Sequence, residues 1–403
     1  MVRGASQRLS RQMGAVGQFW DAPFRPLFLA AALCAIATVA QWPLGLPPEV
    51  LSPGLWHAHE MLFGFGGAAV GGYMLTALPS WTGKQPVSGR PLVFLTLLWL
   101  LARIAAFNAG QLAPPVLALA GASYFLCLAA LLTRQIVASR SWPKLGFVLA
   151  IIVLAGTDAA LLRALALGEL AVGREFVHAA VFVFALLMSL VGGKLVPAFT
   201  ESWLAQSGHV GARPVPRLPV AAAIALVAAM GLQATGLDLP TGGLPVITAA
   251  LLLWHMRGWR SSTILSEPLL VALHLGYLWL PLGLGLAGIA RLAPLPISDT
   301  DALHMLTVGA MGGLVFAIAG RAAARRVAGG LRAGPGFASG FALIWLATCV
   351  RAALPENLTL SGALWCLGWL VFTLRLLPAL FGPVDRPVLS GRRSQTPLKA
   401  PES

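Results

Sequence analysis

Charge is what this sequence has least of. Asp, Glu, Lys and Arg make up 10% of its 403 residues against 58% hydrophobic ones, and mean hydropathy is +0.80. Soluble domains carry about 25% charged residues, so most of this surface cannot face water. The apolar runs last about 20 residues, the length a helix needs to cross a hydrocarbon core roughly 30 Å thick. Strict alternation of apolar and polar residues is missing, which excludes a membrane barrel. Cysteine is scarce as well. Cys34, Cys127, Cys349 and Cys366 fall in four different apolar runs with no CxxC pair, so they read as small buried residues. There is no Walker loop, GxSxG, HExxH or nucleotide-binding GxGxxG, and "GFGGAAVGG" lies inside an apolar run where it cannot cradle phosphate. The basic start "MVRGASQRLSRQMGAVG" precedes no short apolar core with a small-residue cleavage site. It reads as a cytoplasmic tail, not a cleaved signal.

What is present organises itself around the apolar runs. Twelve of them lie at 24–42, 56–80, 91–107, 112–134, 145–167, 175–199, 217–236, 242–257, 267–290, 301–321, 333–354 and 359–382. The seventh and eighth are short and joined by only a few residues. Net charge is +14, but the basic residues sit in short loops between runs. They therefore point to membrane orientation and to no nucleic-acid partner. With both termini cytoplasmic, all but five of the 28 Lys and Arg fall on or near the cytoplasmic side. The exceptions are Arg103, Arg163, Arg174, Arg291 and Arg351. A single miscounted span would scramble that alternation. The expectation is an all-α, polytopic membrane helix bundle in the lipid bilayer, with about twelve transmembrane helices and both termini cytoplasmic. Residues 1–23 form a cytoplasmic N-terminal tail, 24–382 a single transmembrane domain, and 383–403 a disordered cytoplasmic tail. No internal repeat is visible. Gly67/Gly71 and Gly309/Gly313 are small-xxx-small pairs that let helices approach closely, although a flat cofactor would also need such glycines.

Ionisable residues inside a span are costly and mark function by default. His57 and His59 open the second span, His178 the sixth and His304 the tenth, so three helices bring histidine to one level near the outer face. His274 lies nearer the cytoplasmic half. His209 and His255 read as facing water or headgroups. Neutral imidazole is a common ligand of haem iron and copper and adds no charge to the membrane. His59 lies about 200° around the helix from His57, so the two face different neighbours. Glu60, and Asp299 and Asp301 ahead of His304, could fix a ring tautomer or relay protons. Asp158 and Arg163 could form a structural pair, and Arg103 and Arg163 could hold carboxylates such as haem propionates. The proline-containing ends "ALPSWTG" and "GGKLVPAFT" read as helix terminations.

These segments resemble the NnrS family of polytopic bacterial inner-membrane proteins. The likeness rests on "FRPLFL" (24–29), "WHAHEMLFGF" (56–65), "LPSWTG" (78–83), "GGKLVPAFT" (192–200), "EPLLVALHLGYLWLPLG" (267–283) and "ALHMLTVGAMGG" (302–313), in the family's order. It implies haem and copper, a link to nitric oxide tolerance and denitrification, and His57, His59, Glu60, His274 and His304 as the polar core. The chain departs from the pattern at Lys194, at "LLRAL" (161–165) and at "AIAGRAAARR" (317–326), which leaves fewer ligands for copper. The resulting expectation is a haem protein, with copper as a second metal, that meets nitric oxide or another small diatomic ligand. His59 and His304 are the first choice of axial ligands. His57, His274 and His178 serve a second site, Arg103 contacts the cofactor, and Glu60 or Asp301 are candidates for proton chemistry. If the protein turns over, it is a nitric-oxide-consuming oxidoreductase with an electron donor. The rivals are a twelve-helix secondary transporter and a haem-based sensor without turnover.

Overall fold

The computed structural model describes residues 17–44, 52–209, 211–212, 214–215, 217–233, 237–293, 297–327, 330–384 and 386–389. Twelve apolar helices dominate: α1 (Phe24–Leu44), α2 (Pro53–Thr82), α3 (Arg90–Phe107), α4 (Pro114–Ala138), α5 (Leu145–Ala166), α6 (Leu170–Gln206), α7 (Leu218–Leu232), α8 (Asp238–Arg257), α9 (Pro268–Leu292), α10 (Asp299–Ala323), α11 (Phe337–Ala353) and α12 (Leu358–Leu376). Ten are long and apolar enough to cross a membrane; α7 and α11 are apolar but shorter. The eighth run is thus longer than it reads in sequence, and the eleventh is the second short one. A small hairpin, β1 (Arg325–Val327) with β2 (Gly330–Arg332), fills the basic loop after α10.

Local chemistry sets most helix ends. Proline opens α3, α4 and α9 at positions whose amide would have no partner anyway. At the end of α2 the helix runs through Pro79 and stops at Gly83, whose φ of 66° suits glycine alone. Pro197 does not end α6 either. That helix continues to Gln206, 37 residues in all, or roughly 55 Å at 1.5 Å per residue. The termination reading therefore holds for "ALPSWTG", where the helix ends at Thr82, and fails for "GGKLVPAFT". A membrane helix keeps its register past proline when its neighbours occupy the freed carbonyls.

Packing partners recur every four helices. Within each group the first helix packs on the second and the third on the fourth: α1 on α2, α5 on α6, α9 on α10; α3 on α4, α7 on α8, α11 on α12. The fourth of each group meets the first of the next, α4 on α5, α8 on α9 and α12 on α1, closing a ring. Inside it the three second helices, α2, α6 and α10, touch one another. These are the helices that carry His57, His59, His178 and His304. The recurrence is one of packing, with no matching repeat in the residues.

Small residues make the close crossings possible. A Cβ at Gly276 on α9 would sit 2.9 Å from the carbonyl carbon of Gly313 and the amide nitrogen of Leu314 on α10. Gly67 and Gly71 are covered by Phe125 and Tyr124 of α4, and Gly309 by Trp279 and Thr348. All four paired glycines are thus packing positions. Gly276→Ala is expected to cost roughly 1–3 kcal/mol by overpacking against a backbone that cannot rotate away, measured by thermal unfolding in detergent.

Segments near the two ends of the described chain are joined. The buried Arg25 guanidinium donates to the carbonyls of Gln18, Ala379 (3.0 Å) and Gly382 (2.6 Å). Val388 and Leu389 are buried, and Arg321 donates to the Leu389 carbonyl at 3.1 Å. Part of the expected tail after 383 is therefore packed. The rest of it, and residues 1–16 of the N-terminal tail, lie outside the described residues. Just ahead of α9, burial pushes the Glu267 carboxyl above the usual range, against the pull of Arg321 and Arg332. The folded state then holds this proton more tightly than the unfolded chain. Its contribution is complete below the unfolded pKa and is lost as pH rises through the folded one. Glu267→Gln should flatten the pH dependence of unfolding from the ordinary carboxylate range upward.

Candidate functional site

The outer level is built on an unusual backbone. Directly after His59 the helix widens into a π-helical segment, Glu60–Gly66, and directly after His304 into another, Met305–Gly312. Such wide turns are rare and cluster at functional sites. Each here ends at a Gly-Gly pair, Gly66–Gly67 and Gly312–Gly313. Side chains from neighbouring helices occupy carbonyls in the first: Trp99 donates to Gly64 O at 2.9 Å and Tyr124 to Gly67 O at 3.0 Å.

Hydrogen bonds sort the histidines by what they can ligate. His304 Nδ1 lies 2.6 Å from the Thr300 carbonyl, and His178 Nδ1 lies 2.8 Å from the Arg174 carbonyl. A carbonyl only accepts, so both Nδ1 atoms carry a proton, and in His304 this leaves the lone pair on Nε2. This is the arrangement a metal-binding imidazole uses. His178 Nε2 faces Asp299 of α10 at 3.4 Å without an aligned hydrogen bond. His57 Nδ1 accepts from Trp42 at 3.2 Å, which leaves the proton on Nε2. That bond lies at the exposed rim, and His57 is within electrostatic reach of His304. The expected common level therefore exists: α2 and α10 meet through His57 and His304, and α6 and α10 through His178 and Asp299.

His59 is differently engaged. It is fully buried, with Nε2 2.8 Å from Asp158 Oδ1 and Nδ1 3.0 Å from Glu60 Oε1. Arg103 Nη1 reaches the same Glu60 oxygen at 2.8 Å. Carboxylates accept, so both ring nitrogens are placed to donate. Two acids and one guanidinium balance when His59 is an imidazolium, and in that form it has no lone pair for a metal. Asp158 thus pairs with His59, not with Arg163, which lies 3.7 Å from exposed Glu169. Arg103 points its charge at Glu60, not outward to a carboxylate ligand. Asp301 caps α10 through Ser298 and holds Arg351 at 2.6 Å.

A second polar cluster sits at the opposite end. His274 Nε2 is 2.8 Å from Thr200 Oγ1, whose own proton goes to the Val196 carbonyl. Nε2 therefore donates, and Ser261 donates to Nδ1 at 2.9 Å. Both nitrogens of His274 are thereby used, far from the outer histidines. His255, expected to face water or headgroups, is instead 1% exposed and donates from Nε2 to Gly193 O at 2.8 Å. Trp259 lies between the two rings, 5.3 Å from His255 and 5.4 Å from His274 by ring centres. Its position at a helix end beside Arg257 made His255 look solvated; Gly193, whose carbonyl it meets, is 62 residues away.

Among the described residues no three His, Cys, Asp or Glu side chains converge as a metal cluster. The donor set still fits a haem iron or copper bound by few protein ligands, because His304 presents an oriented nitrogen with its lone pair free. Sequence reasoning missed Asp158 as the partner of His59 and Trp42 as the partner of His57. An acid in the middle of an apolar helix was the available signal for the first.

No curated protein matches the chain. The family model described as NnrS protein matches residues 18–383, which takes in all twelve helices and every histidine discussed above. The protein belongs to the NnrS family.

Proposed function

We propose that this protein is a haem protein of the bacterial inner membrane that acts in the response to nitric oxide, with His304 as an axial ligand. The observation that carries the reading is the His304 ring, turned by the Thr300 carbonyl so that its lone pair is on Nε2. His57, next to it on α2, would be the second ligand after giving up its rim hydrogen bond to Trp42. His178 is the candidate for copper, with Asp299 beside it. Haem bound there would supply an iron that takes up or reduces a diatomic ligand.

The remaining roles belong to the chain itself. Glu60, His59, Asp158 and Arg103 form a charge cluster one turn beyond His57, at the point where the helix passes from α to π. Nitric oxide is neutral and small, so it can arrive through lipid without an aqueous vestibule. A packing period of four helices differs from the two-half plan of secondary transporters, which makes transport the weaker reading.

Metal analysis with a reduced-minus-oxidised spectrum of the purified protein tests this directly. Absence of a Soret band would sink it. Stopped-flow mixing with nitric oxide and a reductant separates an oxidoreductase, which consumes the gas, from a sensor that only binds it.

A further inference from the structure

A half-open groove of about 360 Å³ runs between α9 and α11. Pro268, Val271 and Leu275 line it from α9, Phe337, Phe341 and Trp345 from α11, and no polar atom faces it. Its rim residues Ala338, Ala342 and Leu346 are exposed, whereas Phe337 and Phe341 are buried. Small-molecule sites start at about 300 Å³, so the space is of ligand size. Pro268 and Phe337 belong to the first turns of their helices. The groove therefore starts where α9 and α11 start and extends to Leu275 and Leu346, roughly 10–13 Å at 1.5 Å per residue. A surface this apolar on a membrane helix faces hydrocarbon.

Positive charge collects at that same end. Arg325 and Arg332 are exposed and stand directly opposite each other in the β1–β2 hairpin. Opposed residues of an antiparallel pair project to one face, where like charges repel. The hairpin leads straight into α11, and Arg332 is within electrostatic reach of Glu267, the residue before Pro268. Both connections hold the hairpin at the mouth of the groove. Arg375, in the last turn of α12, closes in from another side. Its Nε lies 2.7 Å from where a Cβ on Gly336 would stand, and Gly336, at φ 87°, immediately precedes Phe337. No side chain caps the start of α11, so its first amides add to the positive end. Glu267 already faces Arg321 as well as Arg332. One shared carboxylate leaves this mouth cationic.

An apolar trough that ends among cations matches a molecule with a hydrocarbon tail and an anionic head. Basic pockets beside membrane helices bind acidic lipid headgroups. Helix pairing in lipid relies on small residues, and Phe337, Phe341 and Trp345 make this wall a poor seat for a second copy of the chain. We propose that the α9–α11 groove holds an acyl chain of an anionic phospholipid whose phosphate is bound by Arg325, Arg332 and Arg375. Such a site needs no haem. Native mass spectrometry of the full chain, released from phosphatidylcholine nanodiscs doped with phosphatidylglycerol of equal chain length, tests it. One phosphatidylglycerol should be retained in preference to phosphatidylcholine. Arg325→Gln with Arg332→Gln should weaken that retention on the order of tenfold, and Arg375→Gln gives an independent variant. Ala342→Trp, which fills the trough from its exposed rim, should abolish retention with every arginine intact. Equal retention of the two lipids would overturn the proposal, as would retention unchanged in either the arginine variants or Ala342→Trp. Displacement of the lipid by millimolar inorganic phosphate would also overturn it, since a free anion needs no trough. A lipid-free dimer that Ala342→Trp dissociates would assign the groove to a second copy instead.

Discussion

If the protein carries haem as proposed, replacing His304 with alanine should abolish its Soret band, whereas His274→Ala should leave it in place. The difference follows from which nitrogen is free. In His304 a backbone carbonyl at 2.6 Å holds the proton on Nδ1 and leaves Nε2 able to bind iron. In His274 the hydroxyls of Thr200 and Ser261 occupy both nitrogens at 2.8 and 2.9 Å, and the ring is at the other end of the bundle. On the same reading His178→Ala is expected to leave the Soret band in place, since its Nε2 is directed at the Asp299 carboxylate. His57→Ala tests the second axial position: a low-spin spectrum that turns high-spin on this change, and not on His59→Ala, assigns it. Loss of ligation in His59→Ala with His57→Ala unaffected would restore His59 as the ligand and require the buried cluster to rearrange when haem binds.

Arg103→Ala is expected to be among the most destabilising single changes in the protein. The guanidinium lies 2.8 Å from Glu60, with the two side chains 11% and 7% exposed. Removing one partner of a buried pair leaves an uncompensated charge and costs about 3–5 kcal/mol, more than the pair itself is worth. Glu60→Gln with Arg103→Gln should cost well below the sum of the single changes, because neither charge is then stranded. Asp158→Asn should resemble Arg103→Ala in direction but act through His59, which loses the 2.8 Å acceptor for its second proton. Chemical unfolding in detergent, carried out as a double-mutant cycle, measures each difference. A double variant that costs the full sum of the two single changes would show that the groups do not act as one cluster.

Much of the architecture was legible because it depends on short-range properties. A run of about 20 apolar residues must be a helix in lipid, where every backbone group needs an internal partner. Alternating basic loops then count the spans. His57, His59, His178 and His304 were assigned to one level by counting residues from span starts, and the packing of α2, α6 and α10 brings three of those helices together as that count implies. Pro197 misled because proline ends helices in water, where the freed carbonyls have competition from solvent; α6 runs on through it to Gln206.

Hydrogen-bond roles were not legible. His59 meets Asp158 across 99 residues of chain and His274 meets Thr200 across 74. Such pairs depend on how neighbouring helices are rotated about their axes, and a rotation of one residue, about 100°, replaces one partner with another. Sequence by itself determined the helical class, the number of apolar helices and the level of the histidines, because hydropathy and the length of a membrane helix are properties of each segment alone. Only the tertiary structure decided which imidazole keeps a free lone pair and which is locked between carboxylates. Those outcomes are set by glycine and aromatic contacts between segments that are distant along the chain.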